Sequence, residues 1–162
     1  MNTTKVHQSM WYLFWKRITD IVLSTIALIC FSPIFLFIWI MSLFGDNKGP
    51  VFFKQTRIGK HGKPFKIYKF RSMIVHADEI LHADPELYKK YVVNNYKLEP
   101  EEDPRVTKLG HWLRKTSIDE IPQFINILRG EMSIIGPRPI VKEELVEYGN
   151  RVNKFLSVKP GA

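Results

Sequence analysis

The chain has 162 residues, enough for one soluble domain with a real core or for a membrane segment and a smaller domain. Its 24 Lys and Arg outnumber its 16 Asp and Glu, and the net charge of +8 points to an anionic partner: nucleic acid, a lipid surface or phosphorylated small molecules. A single cysteine, Cys30, lies in an apolar run, which excludes a disulfide framework and a thiolate metal cluster and gives no sign of an oxidising compartment, so the working half of the chain is expected to face the cytoplasm.

Residues 1–13 are polar and then aromatic, and Trp11, Tyr12, Phe14 and Trp15 lead into Lys16 and Arg17, a cluster suited to a membrane interface. No charged residue occurs from Ile21 to Gly45, a stretch of 25 that exceeds the roughly twenty needed to cross a bilayer as a helix. Its length, and the lack of a small-residue cleavage site after it, argue against a removable signal peptide. Ser32-Pro33 sits at the centre, leaving each half roughly 16 Å long at 1.5 Å per residue, which reaches only mid-bilayer. Two topologies remain open: a spanning helix with a tolerated proline kink, and a helix-break-helix that enters and leaves by one face. Lys16 and Arg17 on one side, with Lys48, Lys54, Arg57 and Lys60 on the other, would hold both ends at the cytoplasm and favour the second.

Between Asp46 and Met73, eight Lys or Arg and one acid interleave with Phe52, Phe53, Phe65, Tyr68 and Phe70. Val51-Phe52-Phe53 and Phe65 to Phe70 predict short strands around the turn Gly59-Lys60-His61-Gly62-Lys63, a β-hairpin close to the membrane surface. Such a module suits anionic headgroups better than a single-stranded nucleic acid, and no Walker phosphate loop occurs in the chain. The charge then inverts: Asp78 to Asp103 holds eight of the sixteen carboxylates, in helix-compatible stretches broken by Pro85 and Pro100, which predicts a solvated helical excursion. His76 and His82 lie near Asp78 and Glu79, but their spacing fits no standard metal set.

A turn over Asp103 to Gly110 leads into a short amphipathic piece, His111 to Arg114, and then into Lys115-Thr116-Ser117-Ile118-Asp119-Glu120-Ile121-Pro122-Gln123. Ser117 with Glu120 three residues on fits a capping box. That pattern predicts a helix whose first turn holds Asp119, where free N–H groups and the helix dipole favour a carboxylate or a phosphate. The same pattern is also what any well-capped helix looks like. Ile121, Phe124, Ile125 and Leu128 continue the helix at core spacing and Gly130 ends it. Met132 to Ile135 predicts a short buried strand, and Gly136-Pro137-Arg138-Pro139 a stiff loop that presents one guanidinium, or carries an incidental surface arginine. Val141, Leu145, Tyr148, Val152 and Phe155 recur at helical spacing and predict an amphipathic helix over 141–156.

Taken together these stretches resemble the bacterial sugar transferases, the monotopic phosphoglycosyl transferases that start polysaccharide and glycoconjugate assembly on a polyprenyl-phosphate carrier. The resemblance runs nearly end to end: Lys16-Arg17 with Asp20, Ser32-Pro33, Gly49 to Gln55, Phe65 to Met73, Asp103-Pro104-Arg105-Val106-Thr107, Leu113 to Glu120, Met132 to Pro139 and Lys159-Pro160-Gly161. It implies an α+β protein: a membrane anchor over 1–45, re-entrant and broken at Ser32 and Pro33, followed over 46–162 by a small, mainly helical cytoplasmic transferase domain with a short β-hairpin.

The chemistry implied is transfer of a hexose-1-phosphate from a nucleotide-sugar, a UDP-sugar by expectation, to polyprenyl phosphate at the cytoplasmic face of the bacterial inner membrane. Asp119 would be the nucleophile that forms an aspartyl-phosphosugar, and Glu120 the ligand of a divalent metal, Mg2+. Arg114 and Arg138 would contact phosphate, and Lys69 and Arg71 in the Phe65 to Met73 motif are further candidates for that role. The acidic insertion before Asp103 looks more like the hexose-using members than the shortest ones. Relatives continue past Lys-Pro-Gly with a Gly-Trp-Gln-like motif and more helix, so the resemblance implies a C-terminally truncated domain, or a short form with reduced or lost activity. The alternative class is a non-catalytic, membrane-bound interaction module with a basic surface for lipid or a partner. A membrane-tethered nucleic-acid binder fits badly, because the apolar anchor and the paired carboxylates serve it poorly.

Overall fold

A computed structural model of the chain describes residues 9–94 and 98–162. The polar opening of the chain up to residue 8, and residues 95–97 of the acidic stretch, lie outside the described residues. The chain divides into two compact units: the described part of Met1–Cys30 with Thr56–Ile67 and Gln123–Ala162, and Phe31–Gln55 with the described part of Tyr68–Pro122.

Two helices come first, α1 (Met10–Cys30) and α2 (Ser32–Met41), bent by 51° at the break. Helix α2 carries Pro33 in its first turn, where a missing N–H costs nothing and the ring cannot continue the ladder of α1. The expected break at Ser32 and Pro33 is therefore present. Among the described residues no single helix is long and apolar enough to cross a membrane, and the bent pair meets that test only together. Most apolar side chains of the pair are exposed, among them Ile21, Val22, Leu23, Ile26, Leu36, Phe37 and Trp39. A hairpin of β1 (Phe52–Ile58) and β2 (Pro64–Phe70) follows, the only sheet among the described residues and close to the strands expected. Then come α3 (Ala77–Ala83), α4 (Pro85–Val93), α5 (Lys108–Lys115), α6 (Gln123–Arg129) and α7 (Val152–Phe155).

In the first unit α1 lies along α6. Arg17 donates to the carbonyls of Ile127 (2.6 Å) and Leu128 (2.8 Å), partners the end of α6 could not find within itself. Asp20 is buried and accepts from the Ser133 hydroxyl (3.0 Å) and the Ile134 amide (3.1 Å), while Lys16 donates to Ser133 and to the Ile135 carbonyl. Phe65, Ile67, Ile127 and Met132 form the core, with Phe124 and Ile134 against it. The buried amide of Asn126 ties α6 to the hairpin through the Lys66 carbonyl (2.8 Å). Ile58 pairs with Ile140, and the C-terminal residues lie beside the 133–137 segment, Ser133 bridging Gly161. A Cβ on Gly136 would stand 2.4 Å from the Lys159 carbonyl, so only glycine allows this backbone approach.

Two expectations fail here. Met132 to Ile135 forms one bridge at Ser133 rather than a strand, with Met132 buried and Ile135 exposed. The helix expected over 141–156 is a 3-10 stretch, Glu143–Arg151, followed by the one-turn α7. Gly149 at φ 43° and ψ −124° leaves the helical region and breaks the run that the apolar spacing suggested.

In the second unit Phe35 of α2 meets Phe70 (4.8 Å between ring centres) and Phe52 (6.2 Å), and Phe52 stacks on Phe70. Asp84 caps α4 by accepting from the Glu86 and Leu87 amides, with Pro85 in the first turn, as the proline punctuation of the acidic stretch predicts. Most carboxylates of that stretch are exposed, but Asp103 is not. It is buried in a bidentate pair with Arg105, 2.8 Å at each contact. The Arg105 carbonyl accepts from the Ile74 amide and Met73 bridges Val106, which fixes the entry to α5.

Candidate functional site

The site is built on α5 and the turn that follows it. The Thr107 hydroxyl caps α5 by accepting from the Gly110 amide (2.9 Å). Gly110 lies so close to the segment after β2 that a Cβ there would stand 1.9 Å from the Ser72 carbonyl oxygen. That approach lets Arg114, one turn on, donate from Nε to the Ser72 hydroxyl (2.9 Å).

Helix α5 ends at Lys115, and Ser117 adopts a left-handed conformation, φ 56°, that turns the chain sharply into the 3-10 turn Ile118–Glu120. The capping box expected from Ser117 and Glu120 is not formed: the serine side chain makes no cap hydrogen bond. Pro122 has no N–H to give, so α6 starts only at Gln123, after the proline. Asp119 therefore does not sit in the first turn of an α-helix, and side-chain cations surround it in place of a helix dipole.

Asp119 is buried at 9% exposure. Lys69, from the end of β2, places its Nζ 2.5 Å from Glu120 Oε1 and 4.0 Å from Asp119 Oδ2. Burial pushes the Asp119 carboxyl above the usual range, Lys69 opposes that, the Glu120 charge adds to it and Arg114 opposes it again. Arg114 is itself made less basic by burial, countered by the charges of Asp103 and Asp119. The result is one buried carboxylate flanked by two cations, with a half-exposed carboxylate beside it.

The expected residues do not all meet in these contacts. Lys69, Arg114, Asp119 and Glu120 come together. Arg71 does not join them: its guanidinium donates to the Asn47 carbonyl and its amide to the Val51 carbonyl (2.9 Å), so it secures the loop after α2. Burial lowers its basicity. Arg138 belongs to the first unit, exposed on its loop, near Arg57, which lies 3.4 Å from the Pro139 carbonyl and 4.0 Å from Glu144. Residue-level reasoning missed Ser72, Asp103 and Arg105 around α5, and the Asp20 and Ser133 lock on α1. The signal available for them was their place inside the motif segments that carry the family resemblance.

Among the described residues no group of three His, Cys, Asp or Glu gathers as a metal site. Two neighbouring hard-oxygen carboxylates still fit Mg2+, which commonly takes one or two protein carboxylates and completes its shell with water and phosphate. Glu120 is the accessible one of the pair, and Lys69 now shares it.

Comparison with known proteins agrees with the motifs. Over residues 11–162 the chain matches the family described as bacterial sugar transferase. It is 42% identical over 151 residues to the undecaprenyl-phosphate galactose phosphotransferase of Salmonella typhimurium, covering 91% of this chain and 31% of that protein. It is 43% identical over 150 residues to the exopolysaccharide production protein ExoY of Rhizobium meliloti, covering 90% of this chain and 65% of ExoY. It is 42% identical over 150 residues to the UDP-glucose:undecaprenyl-phosphate glucose-1-phosphate transferase of Escherichia coli, covering 90% and 29%. The chain thus spans about a third of the longer relatives and about two thirds of ExoY. Matched from Trp11 to its last residue, the chain belongs to the bacterial sugar transferase family.

Proposed function

We propose that this chain is the catalytic part of a sugar-1-phosphate transferase, which moves a hexose-1-phosphate from a UDP-sugar to polyprenyl phosphate at the cytoplasmic face of a bacterial membrane. The observation that carries the reading is the buried Asp119 carboxylate, 4.0 Å from Lys69 and within the field of Arg114. In the first step a carboxylate oxygen of Asp119 attacks the sugar-linked phosphorus, the bond from that phosphorus to the bridging oxygen breaks, and UMP departs. The acyl phosphate left on Asp119 carries the sugar. In the second step an oxygen of the lipid phosphate attacks the same phosphorus and the Asp119 carboxylate leaves, giving the polyprenyl-diphosphate sugar. Neither step needs an oxidant, and the nucleophile is regenerated.

A carboxylate nucleophile divides one hard transfer into two easier ones, and lets a soluble donor and a lipid acceptor use one site in turn. Phosphoryl transfer asks chiefly for positioning and for positive charge around the non-bridging oxygens. Lys69 and Arg114 supply that charge beside Asp119, and Arg138 keeps the phosphate-contact role that the resemblance implies. Glu120, with Asp119 beside it, would hold Mg2+, which when bound neutralises phosphate charge. The exposed apolar faces of α1 and α2 and the break between them support a re-entrant anchor that keeps this chemistry at the membrane surface.

The test is transfer of radiolabelled sugar phosphate from UDP-glucose and UDP-galactose to polyprenyl phosphate, with UMP release followed in parallel. Wild-type protein is expected to produce both lipid-linked label and UMP, and Asp119→Asn neither. Equal turnover by Asp119→Asn would overturn the assignment. Lipid binding by the wild type without UMP release from any donor would favour the interaction-module reading.

A further inference from the structure

A cationic cluster lies in the first unit. It is assembled from three elements: Lys16 and Arg17 of α1, Lys60 at the hairpin tip, and Lys159 near the chain end. The hairpin tip is held against the C-terminal segment, the His61 amide donating to the Leu156 carbonyl (2.7 Å). A Cβ on Gly130 would lie 3.5 Å from Arg17 Nη2 and 3.6 Å from Lys159 Nζ, so both cations flank the same bare backbone turn.

The acids do not balance this charge. Among the described residues Asp20 is the carboxylate that acts on Lys159, against Arg17, Lys60 and Lys16, and its Oδ1 is already taken by Ser133 and Ile134. Lys16 and Arg17 are spent on carbonyl and hydroxyl acceptors. Lys159 makes no hydrogen bond or ion pair among the described residues. Its ammonium is less basic than usual, chiefly through partial burial and then through its cationic neighbours.

The surroundings name the source of an anion for Lys159. Trp11, Tyr12, Phe14 and Trp15, all exposed, occupy the turns of α1 just before Lys16, and the uncharged run begins at Ile21. Exposed Trp and Tyr beside Lys and Arg at the head of an apolar segment mark headgroup depth. Anionic headgroups there attract each nearby basic side chain. We infer that Lys159, with Arg17 beside it at Gly130 and the charge of Lys60 acting on it, forms a binding site for the phosphate of an anionic phospholipid headgroup. The inference rests on the membrane-held reading of α1 and α2.

The test uses the full chain in detergent micelles, titrated with dioctanoyl phosphatidylglycerol, dioctanoyl phosphatidylcholine or sodium phosphate and read by native mass spectrometry. Wild-type protein is expected to bind phosphatidylglycerol at least fivefold more tightly than phosphatidylcholine. Lys159→Gln and Lys60→Gln should each lower the phosphatidylglycerol affinity about fivefold, while Lys159→Arg retains it. Lys60 sits on a hairpin tip, so its variant remains informative if Lys159→Gln folds poorly. Equal affinity for the two lipids, or an unchanged preference in both glutamine variants, would overturn the site. Phosphate binding as tight as that of phosphatidylglycerol would overturn the lipid assignment. Flotation with pure phosphatidylcholine vesicles tests the membrane reading separately: a chain that fails to float yet prefers phosphatidylglycerol in micelles keeps the site and loses the anchor.

Discussion

Replacing Arg105 with methionine removes the guanidinium from the Asp103 pair while keeping much of its volume. Both side chains are almost wholly inaccessible, 1% for Asp103 and 5% for Arg105, and among the described residues the carboxylate would keep only the Arg105 backbone amide, at 3.1 Å. Breaking a buried pair on one side costs about 3–5 kcal/mol, because a charge is left behind without its partner. At about 2–4 °C per kcal/mol for a chain of this size, the melting temperature should fall by about 6–20 °C. The pH dependence follows from the same geometry. Burial pushes the Asp103 carboxyl up, but hydrogen bonds and charge from Arg105, with the charge of Arg114, outweigh it and hold the group below its usual range. Such a group stabilises the fold above the unfolded carboxyl pKa of about 3.9, and that contribution is lost as the pH falls through the lower folded value. In Arg105→Met burial acts against less opposition, the carboxyl pKa rises, and the loss should be largest at pH 7 and fade towards pH 4. Thermal unfolding of the detergent-held protein, followed by circular dichroism from pH 4 to 8, measures both. A loss under 1 kcal/mol at pH 7, or one that does not change with pH, would refute the reasoning. Replacing both partners together, Asp103→Leu with Arg105→Met, should recover most of the stability.

Other outcomes follow from the same contacts. Gly110→Ala must move either α5 or the Ser72 backbone, since the new methyl would stand 1.9 Å from a carbonyl oxygen; a loss of about 1–3 kcal/mol in thermal unfolding is expected, and transfer activity should fall with it as Arg114 loses Ser72. Asp119→Asn should stabilise the protein at pH 7. The folded-state pKa of Asp119 is raised, chiefly by burial, so stability is fully present below the unfolded value and is lost as the pH rises through the folded one. The melting-temperature gap between variant and wild type should close near pH 4, and a wild type more stable than the variant at pH 7 contradicts this. Lys69→Met removes the largest influence that lowers the Asp119 pKa, so the acid limb of the pH–rate profile should move to higher pH. Turnover should also drop on the order of 10²-fold, the scale seen for loss of one charge-stabilising donor.

The legible parts of the fold were those fixed by neighbours in the chain. Alternating apolar and basic residues on either side of a Gly-rich turn specify the hairpin locally, and Pro85 after Asp84 specifies both the end of α3 and the start of α4. Pro33 in a long apolar run likewise fixes the break between α1 and α2. The reactive turn was legible as a place but not as a geometry. Ser117-x-x-Glu120 satisfies the capping pattern, yet Pro122 and the left-handed Ser117 convert the stretch into a 3-10 turn. What steadies Asp119 is then Lys69, fifty residues earlier in the chain.

Such pairings depend on the tertiary arrangement and leave no periodic trace. Arg114 with Ser72 and Lys16 with Ser133 are of the same kind. Asp103 reads as the last carboxylate of a solvated charge run and Arg105 as part of the turn after it, and only burial distinguishes the pair from exposed charges. The 141–156 stretch misled for the opposite reason: its apolar spacing is helical, but Gly149 breaks the backbone. Lys69 and Arg71, neighbours in one motif, part company because Arg71 follows the last residue of β2 and turns to the Asn47 loop.

The central claim is that Asp119 becomes covalently phosphorylated by the donor. The direct measurement is intact-mass analysis of the purified, detergent-held protein after incubation with Mg2+ and a panel of UDP-sugars without lipid acceptor, Asp119→Asn alongside. The account predicts a mass gain equal to one hexose phosphate, present with Asp119, absent with asparagine, and removed on adding polyprenyl phosphate. An adduct of the same mass on Asp119→Asn, or lipid-linked product formed by the wild type with no adduct under rapid quench, would contradict it.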